Sequence, residues 1–442
     1  MRSRVLAWYR RTRARSRALF DLLVGDDAYY SQPIGLRHPI VFYDGHLSAF
    51  SFNTLVKTAL GGRSIDPELE RLFARGIDPD GRAPGPEPPA VHRARWPDRT
   101  TVRAFADEAD RRVLEALGEA DLEVPGHPLL DRAEAVFTIV EHEVMHQETL
   151  LYLWHRLPAA QKRCPSGYRP VVEGRVPPFE WIAVPPGRAT LGVDREAVLF
   201  GWDNEFPRHE VDVAAFEIAR HDVTNAEYLE FVEAGGYRDP RWWRPDDWAW
   251  LAQEGVQHPP FWERDGRTWS CRGMFDRLPL PMAWPVYVTH AEASAYALWR
   301  GARLPTEAEF QRAAYGTPGG AERRYPWGDE VPARAHGVFD FRSWDPEPAG
   351  SHPAGASAWG VEDLVGNGWE WTSTIFHPFP GFRPMASYPQ YSADFFDGEH
   401  VVLKGASPAT GHELLRPTFR NWFRGRYPYV YATFRCARGT TS

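Results

Sequence analysis

Between Cys164 and Pro178 the chain changes its pattern, and that change rules out any single repeated architecture. Before it, apolar residues recur at spacings of three and four around Val5–Leu23, Ser48–Leu60, Pro67–Arg75, Thr101–Leu117 and Asp131–Leu157, the period of amphipathic helices. After it come short alternating runs such as Phe179–Val184 and His209–Ile218, separated by Gly, Pro, Asn and Asp. Two helical stretches interrupt them, Asn225–Glu233 and His290–Arg300, and Trp-rich loop fills the rest. The sequence thus predicts an all-α bundle over residues 1–170 and an α+β domain of low regular content over residues 171–442. Four or five helices predict an up-and-down bundle. Pro125, Gly126 and Pro128 punctuate the chain before the last helix, which Asp131 can cap, and the run from Asp78 to Pro89 reads as a loop between helices.

The bulk numbers agree with two domains and remove several classes of function. A length of 442 residues exceeds what one hydrophobic core usually serves. A hydrophobic content of 43% beside 25% charged residues describes a globular chain. The net charge of -8 argues against a general nucleic-acid binder. No apolar stretch approaches the roughly 18 residues needed to span a bilayer, so no membrane partner is expected. The Arg-rich segment Met1 to Arg17 lacks the apolar centre of a signal peptide and reads as the first turns of an exposed helix. Cys164, Cys271 and Cys436 lie far apart with no CxxC pair, which fits a reducing cytoplasm and argues against a thiolate metal site. The 19 tryptophans and 40 prolines point to aromatic-lined pockets and long ordered loops.

The strongest chemical signal lies in the last predicted helix: Glu141-His142-Glu143-Val144-Met145-His146-Gln147-Glu148. At 3.6 residues per turn His142 and His146 stack on one face, so both rings can reach one cation. Neutral imidazole suits zinc, copper, iron or nickel. Two ligands make half a site. His38, His46, His92, His127 and His155 are the candidates for a third from the same half, and His46, in Phe42-Tyr43-Asp44-Gly45-His46-Leu47-Ser48-Ala49-Phe50 where the chain enters a helix, is the best placed. Three histidines leave coordination positions open, which marks a catalytic metal. Zinc and non-haem iron both stay compatible with the ligand type. Glu148 reads as a group that orients a neighbouring side chain.

An HxxxHxE helix in an α-helical first half, followed by a Trp-rich second half, resembles the ergothioneine-type sulfoxide synthases. These join a DinB-like four-helix bundle to a formylglycine-generating-enzyme-like domain of C-type-lectin type. The second half carries that domain's marks: Arg303-Leu304-Pro305-Thr306-Glu307, Tyr325-Pro326-Trp327-Gly328, Gly366-Asn367-Gly368-Trp369-Glu370-Trp371, Val402-Leu403-Lys404-Gly405-Ala406-Ser407 and Arg420-Asn421-Trp422. The resemblance implies Fe(II) held by His46, His142 and His146, with O₂ used to join a chalcogen to the imidazole of hercynine. It implies that Asn421 and Trp422 hold hercynine's carboxylate and ammonium end. By the same resemblance Tyr388 and Tyr391 are the two active-site tyrosines, Tyr388 a proton donor and Tyr391 near the cation. The chemistry is reasonable in itself, because a quaternary ammonium cannot donate a conventional hydrogen bond and favours aromatic faces.

The chain also departs from the family's pattern. Members that use γ-glutamylcysteine resemble Asn-Trp-Asp after the arginine, whereas Phe423 stands here in place of the acid and Tyr427 near the expected basic residue. Met145 precedes His146 where the family often has a glutamine that touches the imidazole substrate. The stretch from Leu36 to His46 is similar to a divergent branch that includes selenoneine synthase. These differences imply a neutral selenosugar as donor and C–Se bond formation, with γ-glutamylcysteine or cysteine as the alternative donor. A formylglycine-generating activity would need two copper-binding cysteines near the C-terminus, and only Cys436 lies there. A DinB-type thiol transferase would leave the second domain unexplained. A non-catalytic sugar- or ligand-binding protein is the alternative of a different class.

Overall fold

The computed structural model describes residues 1–74 and 88–440. The chain forms two compact units, Met1–Tyr168 with Pro384–Tyr391, and Arg169–Arg383 with Ser392–Ser442. The fold class is the one expected, a helical first unit and a second unit of mixed short strands and helices. The expected loop from Asp78 to Pro89 lies outside the described residues as far as position 87.

The first unit contains helices α1 (Arg2–Phe20), α2 (Gly25–Tyr29), α3 (Ile40–Ser51), α4 (Pro67–Leu72), α5 (Pro89–Arg95), α6 (Arg99–Glu119) and α7 (Glu134–Arg156). Helix starts follow local chemistry. Asp66 and Asp98 accept hydrogen bonds from backbone N–H groups in the first turns of α4 and α6. Pro67 and Pro89 occupy first positions, where a missing N–H costs nothing. Asp131 does not cap α7 as expected. Arg132 and Ala133 both adopt left-handed backbone angles, so the long helix starts at Glu134, and the Asp131 carboxylate accepts from the Gly126 N–H instead.

The structure departs from three further expectations. The four long helices do not follow an up-and-down order, because α1 and α3 each pack on both α6 and α7. Among the four, α1 therefore lies diagonal to α3 and α6 to α7, which long crossover connections permit. The N-terminal helix is not simply exposed: Val5, Tyr9, Arg13, Ser16, Leu19 and Phe20 are buried along one face. The third helix starts eight residues earlier than its apolar spacing suggested, at Ile40 after Pro39, and turns π-helical over Phe52–Ala59. All twelve of its α-helical residues are buried, so it has no polar face for a periodicity to reveal.

The second unit holds four small sheets and several short helices. Strands β1 (Trp181–Val184), β4 (Phe216–Ala219) and β12 (Ala437–Gly439) make one antiparallel sheet, and β2 (Gly187–Leu191) pairs with β3 (His209–Val213). A meander runs β5 (Trp262–Asp265), β6 (Thr268–Arg272), β7 (Arg277–Pro279). The central sheet is ordered β10 (Asn421–Arg424), β9 (His400–Ala406), β8 (Gly368–Ile375), β11 (Ala432–Thr433). The run His209–Ile218, expected as one strand, is two strands in different sheets that part at Ala214–Ala215. Helices α8 (Asn225–Glu233), α10 (His290–Trp299) and α11 (Glu307–Tyr315) each open on a Thr-x-x-Glu capping box, at Thr224/Glu227, Thr289/Glu292 and Thr306/Glu309. Helix α9 (Pro245–Glu254), α11 and the meander lie in what the sequence suggested was loop. Many tryptophans fill this interior: Trp202, Trp284, Trp369 and Trp371 are fully buried.

Candidate metal centre

Helix α3 contributes His46 and α7 contributes His142 and His146, all three buried. One ligand nitrogen from each lies within 4.8 Å of the others. His46 Nε2 and His146 Nε2 are 3.3 Å apart. Two nitrogens bound to one cation at roughly 2.1 Å would sit about 3.0–3.4 Å apart, so this spacing suits a shared ion. His46 Nδ1 is 2.7 Å from the Phe73 carbonyl oxygen and donates to it, which leaves Nε2 as the lone-pair nitrogen facing its neighbours.

The electrostatics agree with that reading. Burial holds the His46 imidazole down to about 4. Burial, reinforced by the neighbouring imidazoles, puts His142 and His146 well below the usual histidine range. All three are therefore neutral at pH 7, the form that binds a metal. Both nitrogens of His142 and Nδ1 of His146 are buried without a hydrogen-bond partner. Such groups cost about 1–3 kcal/mol each when left unsatisfied, and a bound cation would relieve that cost for the one nitrogen each ring offers it. The residues thus fit a divalent metal. Three neutral ligands do not neutralise it, which favours anionic or strongly polar ligands in the positions left open.

Aromatic rings enclose the cluster. Phe42, His46 and Phe50 follow one another at four-residue spacing on α3. Phe42 stacks on His46 at 4.8 Å and Phe50 on His142 at 3.5 Å, with ring planes only 10° apart in the second pair. Phe73 reaches His46 because position 45 is glycine: a Cβ there would lie 2.6 Å from the Phe73 ring. Gly45→Ala is expected to push Phe73 away and free the His46 ring to rotate. The overpacking should cost about 1–3 kcal/mol, and loss of the orienting carbonyl should weaken metal binding about 10- to 100-fold. Thermal melting and Co(II) titration would measure the two separately.

The segment Pro384–Tyr391, drawn from far along the chain, brings both proposed tyrosines to this unit. The Tyr388 ring lies 6.0 Å from His142 and 5.2 Å from Phe50. Tyr391 is 5.8 Å from Tyr388 and donates its hydroxyl to Met145 Sδ at 3.3 Å. Met145 is therefore beside this cluster. The other candidate histidines are not in it. His38 stacks on Phe42 at 4.1 Å, one layer out; His127 accepts from the Leu129 and Leu130 N–H groups; His92 and His155 are buried elsewhere. Glu148 is absent from the metal-ligating group and takes a hydrogen bond from the Tyr152 hydroxyl. The sequence reading missed the supporting residues: Phe42 and Phe50 could have been found from their four-residue spacing about His46, whereas Phe73 and Gly45 carry no local signal.

The remaining predicted residues lie in the second unit on β10, where successive side chains face opposite ways. Trp422 stacks on Phe376 at 4.4 Å with ring planes 4° apart, and Phe395 is 5.9 Å away. Phe423, on the other face, stacks on Tyr427 at 5.4 Å. Asn421 Oδ1 accepts from the Trp422 N–H. All three are half-buried.

A helical unit carrying three convergent histidines, followed by a mixed unit of short sheets, defines a two-part protein of the DinB and sulfatase-modifying-factor type. Residues 9–150 match the DinB superfamily, and residues 171–440 match the sulfatase-modifying factor enzyme 1-like domain. The chain is 43% identical to a hercynine oxygenase of Mycolicibacterium smegmatis, over 92% of this chain and 93% of that one. It is 37% identical to a hercynine oxygenase of Mycobacterium tuberculosis, over 84% of this chain and 88% of the other. It is 28% identical to ergothioneine biosynthesis protein 1 of Schizosaccharomyces pombe, over 94% of this chain and 54% of that protein. The chain belongs to the ergothioneine-type sulfoxide synthase superfamily, and it is an oxygenase-type enzyme. No described helix is long and apolar enough to cross a membrane.

Proposed function

We propose that this protein is an Fe(II)- and O₂-dependent enzyme that joins a chalcogen to the imidazole of hercynine, with a selenosugar as the chalcogen donor. The observation that carries the metal part is the cluster of His46, His142 and His146, neutral, buried and with three ring nitrogens lacking partners. Iron bound there would supply the activation of O₂ that C–Se or C–S bond formation requires. Two relatives named hercynine oxygenase, matched over nearly the whole chain, support hercynine as the substrate.

This chain's own residues would do the rest. His46, with its tautomer set by the Phe73 carbonyl, and the His142–His146 pair on one helix face would hold the ion. Phe42 and Phe50 would keep water from the imidazoles. Tyr388, next to His142, would give up a proton to the reacting oxygen from its hydroxyl. Tyr391, tethered to Met145, would offer an aromatic face to hercynine's ammonium. In the second unit the proposal assigns Asn421 and Trp422 to hercynine's charged end and Phe423 to the donor. The apolar Phe423–Tyr427 pair, in place of charged residues, favours a neutral sugar over an amino-acid thiol. γ-Glutamylcysteine or cysteine as the donor is the second reading.

Oxygen consumption by Fe(II)-loaded protein tests the proposal. Uptake is expected only when hercynine and a donor are both present, and no uptake with any donor would overturn it. Tyr388→Phe is expected to bind Fe(II) as tightly as the parent while C–chalcogen bond formation slows by about 10²–10⁴-fold, the usual worth of a positioned acid. An unchanged product profile in that variant would remove Tyr388 from the reaction.

A further inference from the structure

Glu134, Thr138, His142 and His146 follow one another at intervals of four along α7, so they form a single ridge on that helix. The upper half of this ridge is the candidate metal site. The lower half grips the strap Pro384–Tyr391. Ser387 donates both its backbone N–H and its hydroxyl to Glu134 Oε1, at 3.1 and 2.9 Å. Its hydroxyl oxygen lies 2.8 Å from the Thr138 hydroxyl, which donates to it. Two donors of one residue on one carboxylate oxygen fix both its backbone and its side chain.

Glu134 stands in the first turn of α7, where a carboxylate is favoured by the exposed N–H groups of the helix end. Thr138 is fully buried and Glu134 nearly so, which makes the anchor rigid. One residue beyond the anchor, Tyr388 meets His142, and three residues further Tyr391 meets Met145. The strap thus runs along α7 in register: 387 on 134 and 138, 388 on 142, 391 on 145. A four-residue step along a helix is about 6 Å, the scale on which the Tyr388 ring is set beside His142.

We infer that Ser387 is a positioning residue: the Thr138–Ser387–Glu134 hydrogen-bond chain sets where the Tyr388 ring stands over the histidine ridge. This inference rests on the role proposed for Tyr388. Its effect is on the placement of the phenol, whereas the three histidines are held by α3 and α7 without it.

The test compares Ser387→Ala and Ser387→Thr with the parent in the full-length chain. In Ser387→Ala, backbone hydrogen exchange over residues 384–391 should quicken about tenfold, the worth of a net hydrogen bond or two. Fe(II) and Co(II) affinities should stay within twofold, and the product pattern from hercynine and its donor should move toward that of Tyr388→Phe. Ser387→Thr, which keeps the hydroxyl, should restore both readings. Unchanged exchange over 384–391 would overturn the inference, as would faster exchange with the parent's product pattern. If Tyr388→Phe itself gives the parent's pattern, the role of Tyr388 fails, and the inference fails with it as a statement about chemistry even if the exchange result shows that Ser387 anchors the strap.

Discussion

Arg13→Ala is expected to destabilise the helical unit by about 3–5 kcal/mol, the usual cost of removing one partner of a buried ion pair. Arg13 ties all four long helices together. From α1 its Nε donates to Asp110 of α6 at 3.0 Å, Nη1 to Glu143 of α7 at 2.7 Å, and Nη2 to the Ser48 hydroxyl of α3 at 2.6 Å. Ser48 and Tyr9 also donate to Asp110, and Ser16 donates to Glu143. Without the guanidinium, two carboxylates would be left in the interior with hydroxyls and the half-exposed Arg17 as their remaining donors. Burial raises the Glu143 carboxyl and Arg13 opposes it, so the Glu143 carboxyl should rise further in the variant. A loss of this size would lower the unit's melting midpoint by roughly 6–20 °C. Lysine should recover only part of it, because one ammonium cannot reproduce the three-way fork. A shift below about 1 kcal/mol in Arg13→Ala would show that the network is not what holds the bundle's crossed order.

His142→Leu is expected to separate function from stability. It removes two unpartnered buried nitrogens and keeps an apolar side chain of similar bulk against Phe50. The metal-free protein should therefore be as stable as the parent or more stable by about 1–2 kcal/mol. Metal binding should fall below detection and turnover with it, since two imidazoles on separate helices do not make the three-ligand set. Circular-dichroism melts and Fe(II) titration on the same sample would read both effects. Full activity in this variant would sink the three-histidine assignment.

Much of this was legible in the sequence because the relevant signals are local. The four-residue spacing of His142 and His146 is a property of one helix. The helical stretches that became α8 and α10 are likewise local, each opening on a Thr-x-x-Glu box complete within four residues, whereas the same box at α11 stood in a stretch that reads as loop. Where expectation and structure part, the deciding interaction comes from elsewhere. Asp131 carries the right side chain for a cap, but left-handed backbone at Arg132 and Ala133 moves the helix start beyond its reach. Helix α3 is buried on every side, so apolar spacing could not mark where it begins. The crossed order of the bundle depends on which helices Arg13 and the apolar faces bring together, and no periodicity records that. The most informative case is the strap. Tyr388 was identified only through the resemblance, because nothing near it in sequence shows that Ser387 pairs with residues some 250 positions away.

The most direct measurement is mass spectrometry of the products formed when Fe(II)-loaded protein, hercynine and O₂ are offered a selenosugar, γ-glutamylcysteine and cysteine in parallel. The predicted result is a hercynine–selenium adduct with the selenosugar and none with the two thiols. A sulfoxide from γ-glutamylcysteine or cysteine alone would contradict the donor assigned through Phe423 and Tyr427, and hercynine left unconsumed with every donor would contradict the account as a whole.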